Sequence, residues 1–96
     1  MSDEAYALSL ARSARRVLVE GPPRGLPLAV ATAVSEFLTG PLLDNPQRVG
    51  KPLTRELSDY HSARRGAYRV VYRVDEDSRI VHVLRVDHRS DVYRTH

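Results

Sequence analysis

The sequence predicts an α+β fold: two N-terminal antiparallel helices packed on a small, mainly antiparallel β-sheet, in the order β-α-α-β-β-β with a short C-terminal helical turn. Three observations carry this expectation. Two apolar stripes at helical spacing are separated by the stop Gly21-Pro22-Pro23. Residues 66–93 contain two runs that alternate with a period of two, joined by the polar turn Asp75-Glu76-Asp77-Ser78. A chain of 96 residues has material for one sheet covered by two helices and little more.

Taken in order, Tyr6–Leu10 alternates apolar and small residues, as a first strand does. From Ala11 the period changes. Leu10, Ala14, Val17 and Leu18 fall at helical spacing, with Arg12, Arg15 and Arg16 on the wet side. Pro27 suits the first turn of a second helix, whose stripe is Val30, Ala33, Val34, Phe37 and Leu38 and whose end is Gly40-Pro41. Leu42–Leu53 reads as a loop, with turn formers at Asp44-Asn45-Pro46 and Gly50-Lys51-Pro52. Tyr60–Arg64 is a candidate strand, and Ala63-Arg64-Arg65-Gly66 a basic turn leading into the hairpin. With no internal repeat and no composition break, residues 1–96 are expected to form a single domain.

Composition narrows the function. No apolar run is long enough to span a bilayer, and the acidic, polar N-terminus carries no secretory pattern, so a cytoplasmic protein is expected. The absence of cysteine excludes disulfides and thiolate metal sites, and the four histidines show no ligand spacing, so no metal is expected. Net charge is +3, and fourteen of the fifteen basic residues are arginine, with Lys51 the exception. Arginine offers a planar fork for phosphate oxygens, although a bias of the whole proteome towards arginine would produce the same count.

The hairpin concentrates that chemistry. In Ala67–Asp75, Tyr68, Val70, Tyr72 and Val74 alternate with Arg69, Val71 and Arg73, which places the arginines on one face. In Arg79–Asp87, strict alternation groups Val81, Val83, Arg85 and Asp87, and sets Ile80, His82, Leu84 and Val86 on the other side. His82 is then expected in the core beside Ile80 and Leu84. Val71, Val81 and Val83 are expected among the arginines, an incomplete surface that invites a partner bringing apolar and acidic side chains.

The pieces Ala11-Arg-Ser-Ala-Arg-Arg16, Asn45-Pro-Gln-Arg-Val-Gly-Lys-Pro-Leu53, Ser62-Ala-Arg-Arg-Gly-Ala-Tyr-Arg-Val-Val-Tyr72 and His88-Arg-Ser-Asp-Val-Tyr93 occur in an order and spacing that resembles the RelE branch of the RelE/ParE superfamily of bacterial type II toxins over nearly the whole length. The resemblance implies a RelE-like fold and a ribosome-dependent endoribonuclease that cuts messenger RNA in the ribosomal A site. It implies a cognate RelB-like antitoxin, contact with operator DNA only through the toxin–antitoxin complex, and no metal or organic cofactor. It implies roles for Arg69, Arg89 and Tyr93. The segment 61–65 carries arginine where some members carry lysine, and Arg64 is the basic match, with Arg65 the alternate.

Metal-free cleavage needs a base for the 2′-hydroxyl, an acid for the leaving oxygen and fixed positive charge for the phosphorane. Arg69 is the first choice for the charge and Arg89 the second. Tyr93 or a nearby histidine, His88 or His61, is the candidate base; Arg89 or Arg64 assists the leaving group. Arg65, Lys51, His61, Arg73 and Arg85 are candidate contacts to RNA or the ribosome, and Val71, Val81 and Val83 to the antitoxin. Two other readings stand beside this one: a ParE-like inhibitor of DNA gyrase, and a non-catalytic member that only binds antitoxin or RNA.

Overall fold

The computed structural model describes residues 6–22, 25–53 and 59–88. Strand β1 (Ala7–Leu10) leads into helix α1 (Arg12–Glu20), then α2 (Leu28–Thr39) and the single turn α3 (Pro41–Asp44). Four strands follow: β2 (Lys51–Pro52), β3 (Tyr60–Arg65), β4 (Tyr68–Asp75) and β5 (Ile80–His88). They form one sheet in the order β1-β5-β4-β3-β2, antiparallel except for the parallel pair β1–β5. The predicted α+β class and helix pair are present. The stretch 42–53, expected as loop, instead contributes most of α3 and all of β2, because Pro41 at the first position of α3 restarts helix after Gly40. The expected C-terminal helical turn lies outside the described residues.

The helices cover one face. Ala14 of α1 and Ala31, Val34, Phe37 and Leu38 of α2 are buried against Tyr68, Val70, Tyr72 and Val74 of β4 and Val81, Val83 and Val86 of β5. In α2 the buried stripe runs through Ala31 rather than the expected Ala33, which is exposed. Tyr72 is fully buried, and its hydroxyl donates to the Pro46 carbonyl at 2.6 Å, which pins the 45–50 segment to the sheet. Burial pushes the Tyr72 phenol up to about 12, with Arg65 pulling the other way. Gly50 must be a glycine here, because a Cβ would stand 2.5 Å from the Tyr72 hydroxyl and 2.9 Å from the Ser62 carbonyl oxygen. Gly66, at φ +56°, makes the two-residue β3–β4 turn that needs a positive φ.

Strand β5 departs from strict alternation. Val70 pairs with Val86 and Val71 with Arg85, but Tyr72 pairs with Val83, so Leu84 is the extra residue of a bulge. Successive carbonyls of a regular strand point opposite ways. Here those of Val83 and Leu84 both reach the start of α1, accepting from the Ala11 amide at 2.9 Å and the Ser13 hydroxyl at 3.3 Å. The bulge has a consequence for side chains. Val81 and Val83 point into the core, and unbroken alternation would send Arg85 and Asp87 after them. The extra residue sends Val86 inward and leaves Arg85 and Asp87 outside.

That corrects three expectations. Val81 and Val83 are fully buried under the helices and are not available to a partner. His82 is not a core histidine; it lies on the other face, opposite Arg73. Ile80 and Leu84 are likewise only half-buried, while Val86 joins the core.

Candidate functional site on the open face of the sheet

The face away from the helices is built in cross-strand rows. Paired residues in adjacent strands share a face, so the register assigns the rows directly. At one end Arg64 of β3, Arg69 of β4 and Asp87 of β5 stand side by side. The next row is Lys51, Ser62, Val71 and Arg85, running from β2 across to β5. The third is Tyr60, Arg73, His82 and Ser9, reaching β1. Five cations in three rows, carried on one sheet face, make a positively charged surface of the kind that suits an anionic ligand.

The first two rows are tied together by Asp87. Its Oδ1 accepts from Arg85 Nε at 3.4 Å and Nη2 at 3.2 Å. Its Oδ2 lies 3.1 Å from Arg85 Nη2 and 3.7 Å from Arg69 Nη2. The Asp87 side chain is 17% exposed, against 40% for Arg69 and 64% for Arg85, so the acid sits beneath the two guanidiniums. Arg69 Nε is buried and without a hydrogen-bond partner, as is Asp87 Oδ2. A buried donor left unpaired costs on the order of 1–3 kcal/mol. A cost of that kind beside a cluster of guanidiniums is what a site kept ready for a ligand carries. Among the described residues, neither Arg64 nor Arg73 has a salt-bridge partner. No three His, Cys, Asp or Glu side chains among the described residues come together as metal ligands.

Comparison with known proteins agrees with this architecture. A family model described as the ParE toxin of the type II toxin–antitoxin system parDE matches residues 10–93. The chain belongs to the RelE/ParE superfamily of type II toxins. Toxin RelG of Mycobacterium tuberculosis is 49% identical over 89 residues, spanning 93% of this chain and 97% of that one. Toxin RelE of the same organism is 44% identical over 92 residues, spanning 96% and 90%. Among solved structures, the toxin–antitoxin complex RelBE2 of M. tuberculosis superposes with a TM-score of 0.74 at 48% identity, covering 88% of this chain and 99% of the other. The isolated RelE toxin of E. coli does so at 0.70 and 26% identity, covering 93% and 92%.

Within this superfamily fold, the structure divides the predicted site residues. It brings Arg64, Arg69, Arg73, Arg85, Lys51 and Val71 to the open face. It separates the others. His61 is 2% exposed and faces the core, stacked on the Tyr72 ring with centroids 5.4 Å apart, so it cannot touch RNA or the ribosome. Arg65 shares the helix side, its guanidinium 4.6 Å from the centre of the Phe37 ring. His88 pairs with Tyr68, whose ring is buried under the helices, and so lies across the sheet from Arg69. Each of these three is one residue out of phase with the arginine face. Arg89 and Tyr93 lie outside the described residues.

Tyr60, Ser62 and His82 belong to the open face although the sequence did not single them out for it. Asp87 was grouped with Arg85 by alternation and stays with it, while Val81 and Val83 of the same group turn inward. The buried valines fall at 81, 83 and 86, a spacing of two and then three, and that slip marks the bulge that turns Asp87 outward.

Proposed function

We propose that this type II toxin is a ribosome-dependent endoribonuclease that cleaves messenger RNA in the A site by metal-free attack of the 2′-hydroxyl. The observation that supports it most is the Arg64–Arg69–Arg85 cluster around Asp87 on a rigid, open sheet face, in a chain 44–49% identical to toxins named RelE and RelG. In this reaction the 2′-oxygen bonds to phosphorus and the bond to the 5′-oxygen breaks. The products are a 2′,3′-cyclic phosphate and a 5′-hydroxyl end. Arg69 faces the phosphorane and stabilises its added negative charge, and Arg64 stands beside it to assist the leaving oxygen. Arg89 shares these roles in the family pattern. Since His88 and His61 lie on the helix side, Tyr93 is the candidate that remains for the base. Arg73, Arg85 and Lys51 hold the flanking phosphates, which makes binding salt-dependent.

A RelB-like antitoxin neutralises the toxin by laying apolar and acidic side chains over Val71 and the arginines. In support, the RelBE2 neighbour is itself a toxin–antitoxin complex. Operator DNA is reached only through that complex, and the toxin acts in the cytoplasm without a cofactor. A second reading, gyrase inhibition, is kept because the matching family model is described by a ParE toxin.

The test is brief induction in a bacterial host without antitoxin, wild type beside Arg69→Ala, with new RNA 5′ ends mapped across coding regions. The expected result is 5′-hydroxyl ends inside translated codons, reduced about 100-fold or more in the variant, the scale for loss of one positioned donor to a developing charge. Growth arrest with intact messages and damaged DNA would establish the gyrase reading instead.

A further inference from the structure

Asp87 is the one acid in the three rows that hold the five cations; Asp75, on the same face, belongs to the row after Arg73. Its hold on the two arginines is lopsided. Both of its oxygens meet Arg85, at 3.1 to 3.4 Å, whereas Arg69 approaches one oxygen to 3.7 Å and makes no hydrogen bond with it. A carboxylate that stored Arg69 in an inactive pair would take it in a two-bonded fork. This one attracts Arg69 by charge while leaving the Arg69 donors unspent, and it holds Arg85 alongside. One carboxylate between two guanidiniums leaves a net positive charge, to which Arg64 adds from β3.

An acid in that place also has a cost. It repels the phosphate the arginines attract, so the toxin would bind RNA more tightly without it. A group that opposes binding within a cluster of binding arginines returns something other than affinity. The geometry points to Asp87 as a positioning residue, a carboxylate that sets Arg69 on the scissile phosphate and Arg85 on the next phosphate of the RNA strand and acts through them rather than on the substrate. This rests on the nuclease reading. It gives the bulge at Leu84 a role beyond packing, since without that extra residue Asp87 and Arg85 would face the core and Arg69 would keep only Arg64 beside it.

The test measures two quantities for wild type, Asp87→Asn and Asp87→Glu. One is the single-turnover rate of cleavage on ribosomes programmed with a defined message. The other is affinity for ribosomes carrying the same message with 2′-deoxy sugars in the A-site codon, which blocks the reaction. Asp87→Asn is expected to slow cleavage about tenfold or more, the scale of a misplaced catalytic group, while binding as tightly as wild type or tighter. Asp87→Glu keeps the charge but displaces it, and is expected at an intermediate rate with unchanged affinity. A purely structural role would lower rate and affinity together, and that result overturns the inference. So does Asp87→Asn cleaving at the wild-type rate or faster. If Asp87→Asn does not fold, Asp87→Glu decides by itself: slower cleavage at equal affinity supports the inference, and the wild-type rate overturns it. Wild type that neither binds nor cleaves overturns the nuclease reading, and this inference with it.

Discussion

The two faces of the sheet are made by the same strands and have opposite tolerances. On the covered face Tyr72, Val70, Val81 and Val83 are fully buried, so any change there is felt as lost packing. On the open face Arg69, Val71 and Arg73 are half-exposed, and among the described residues the buried side-chain polar atoms without a hydrogen-bond partner belong to Arg69 and Asp87. One face carries the core and the other carries the proposed site, separated by a single residue of register. Neighbours in sequence such as Tyr72 and Arg73 therefore answer to different constraints.

The largest expected effect tests that division with one substitution on two valines. Val83→Asp places a charge in the core, at a cost of several kcal/mol, and should leave no cooperative thermal melt. Val71→Asp should melt within a few degrees of wild type and lose capture of the antitoxin on co-purification. If both variants unfold, or neither does, the separation of the faces is wrong.

Gly50→Ala comes next. Its new methyl would press on the Tyr72 hydroxyl and the Ser62 carbonyl, and chemical denaturation should show a loss of about 1–3 kcal/mol. Tyr72→Phe removes the bond to Pro46 and should cost about 1 kcal/mol near neutral pH. It should also change the alkaline limb of stability. The folded pKa is raised to about 12 from the ordinary phenol value of about 10, so the unfolded chain loses this proton first. Wild-type stability is then intact below pH 10 and falls as pH rises towards 12, and Tyr72→Phe should flatten that fall. The smallest effect is expected at Arg16–Glu20, an exposed pair 3.9 Å apart one helical turn from each other. Glu20→Gln should stay within about 0.5 kcal/mol of wild type by denaturant titration.

The acidic turn adds one more contrast within the sheet. Glu76 accepts from Gln47 at 2.6 Å, Tyr6 at 2.8 Å and Arg79 at 3.1 Å, so one exposed carboxylate joins the segment before β1, the 45–50 segment and the β4–β5 turn. The Gln47 and Tyr6 hydrogen bonds lead in holding its carboxyl below the usual range. The turn was legible as polar residues between two strands. That Glu76 would tie three segments together was not, because its partners Tyr6 and Gln47 lie 70 and 29 residues away.

By itself the sequence determined the α+β class, the two helices and the faces of β4, because local period and the Gly/Pro stops act over a few residues and the strand obeys them without interruption. Its motifs were also enough to place it in the RelE/ParE superfamily. Tertiary structure alone decided the faces of β5 and what they carry. The ladder has to satisfy β4 on one side and β1 with the start of α1 on the other, and it does so with one extra residue at Leu84. Strict alternation cannot foresee a phase slip set by neighbours distant in the chain. For that reason Val81 and Val83 were expected outside and are inside, and the closer hold of Asp87 on Arg85 than on Arg69 becomes visible only once the strands are in register.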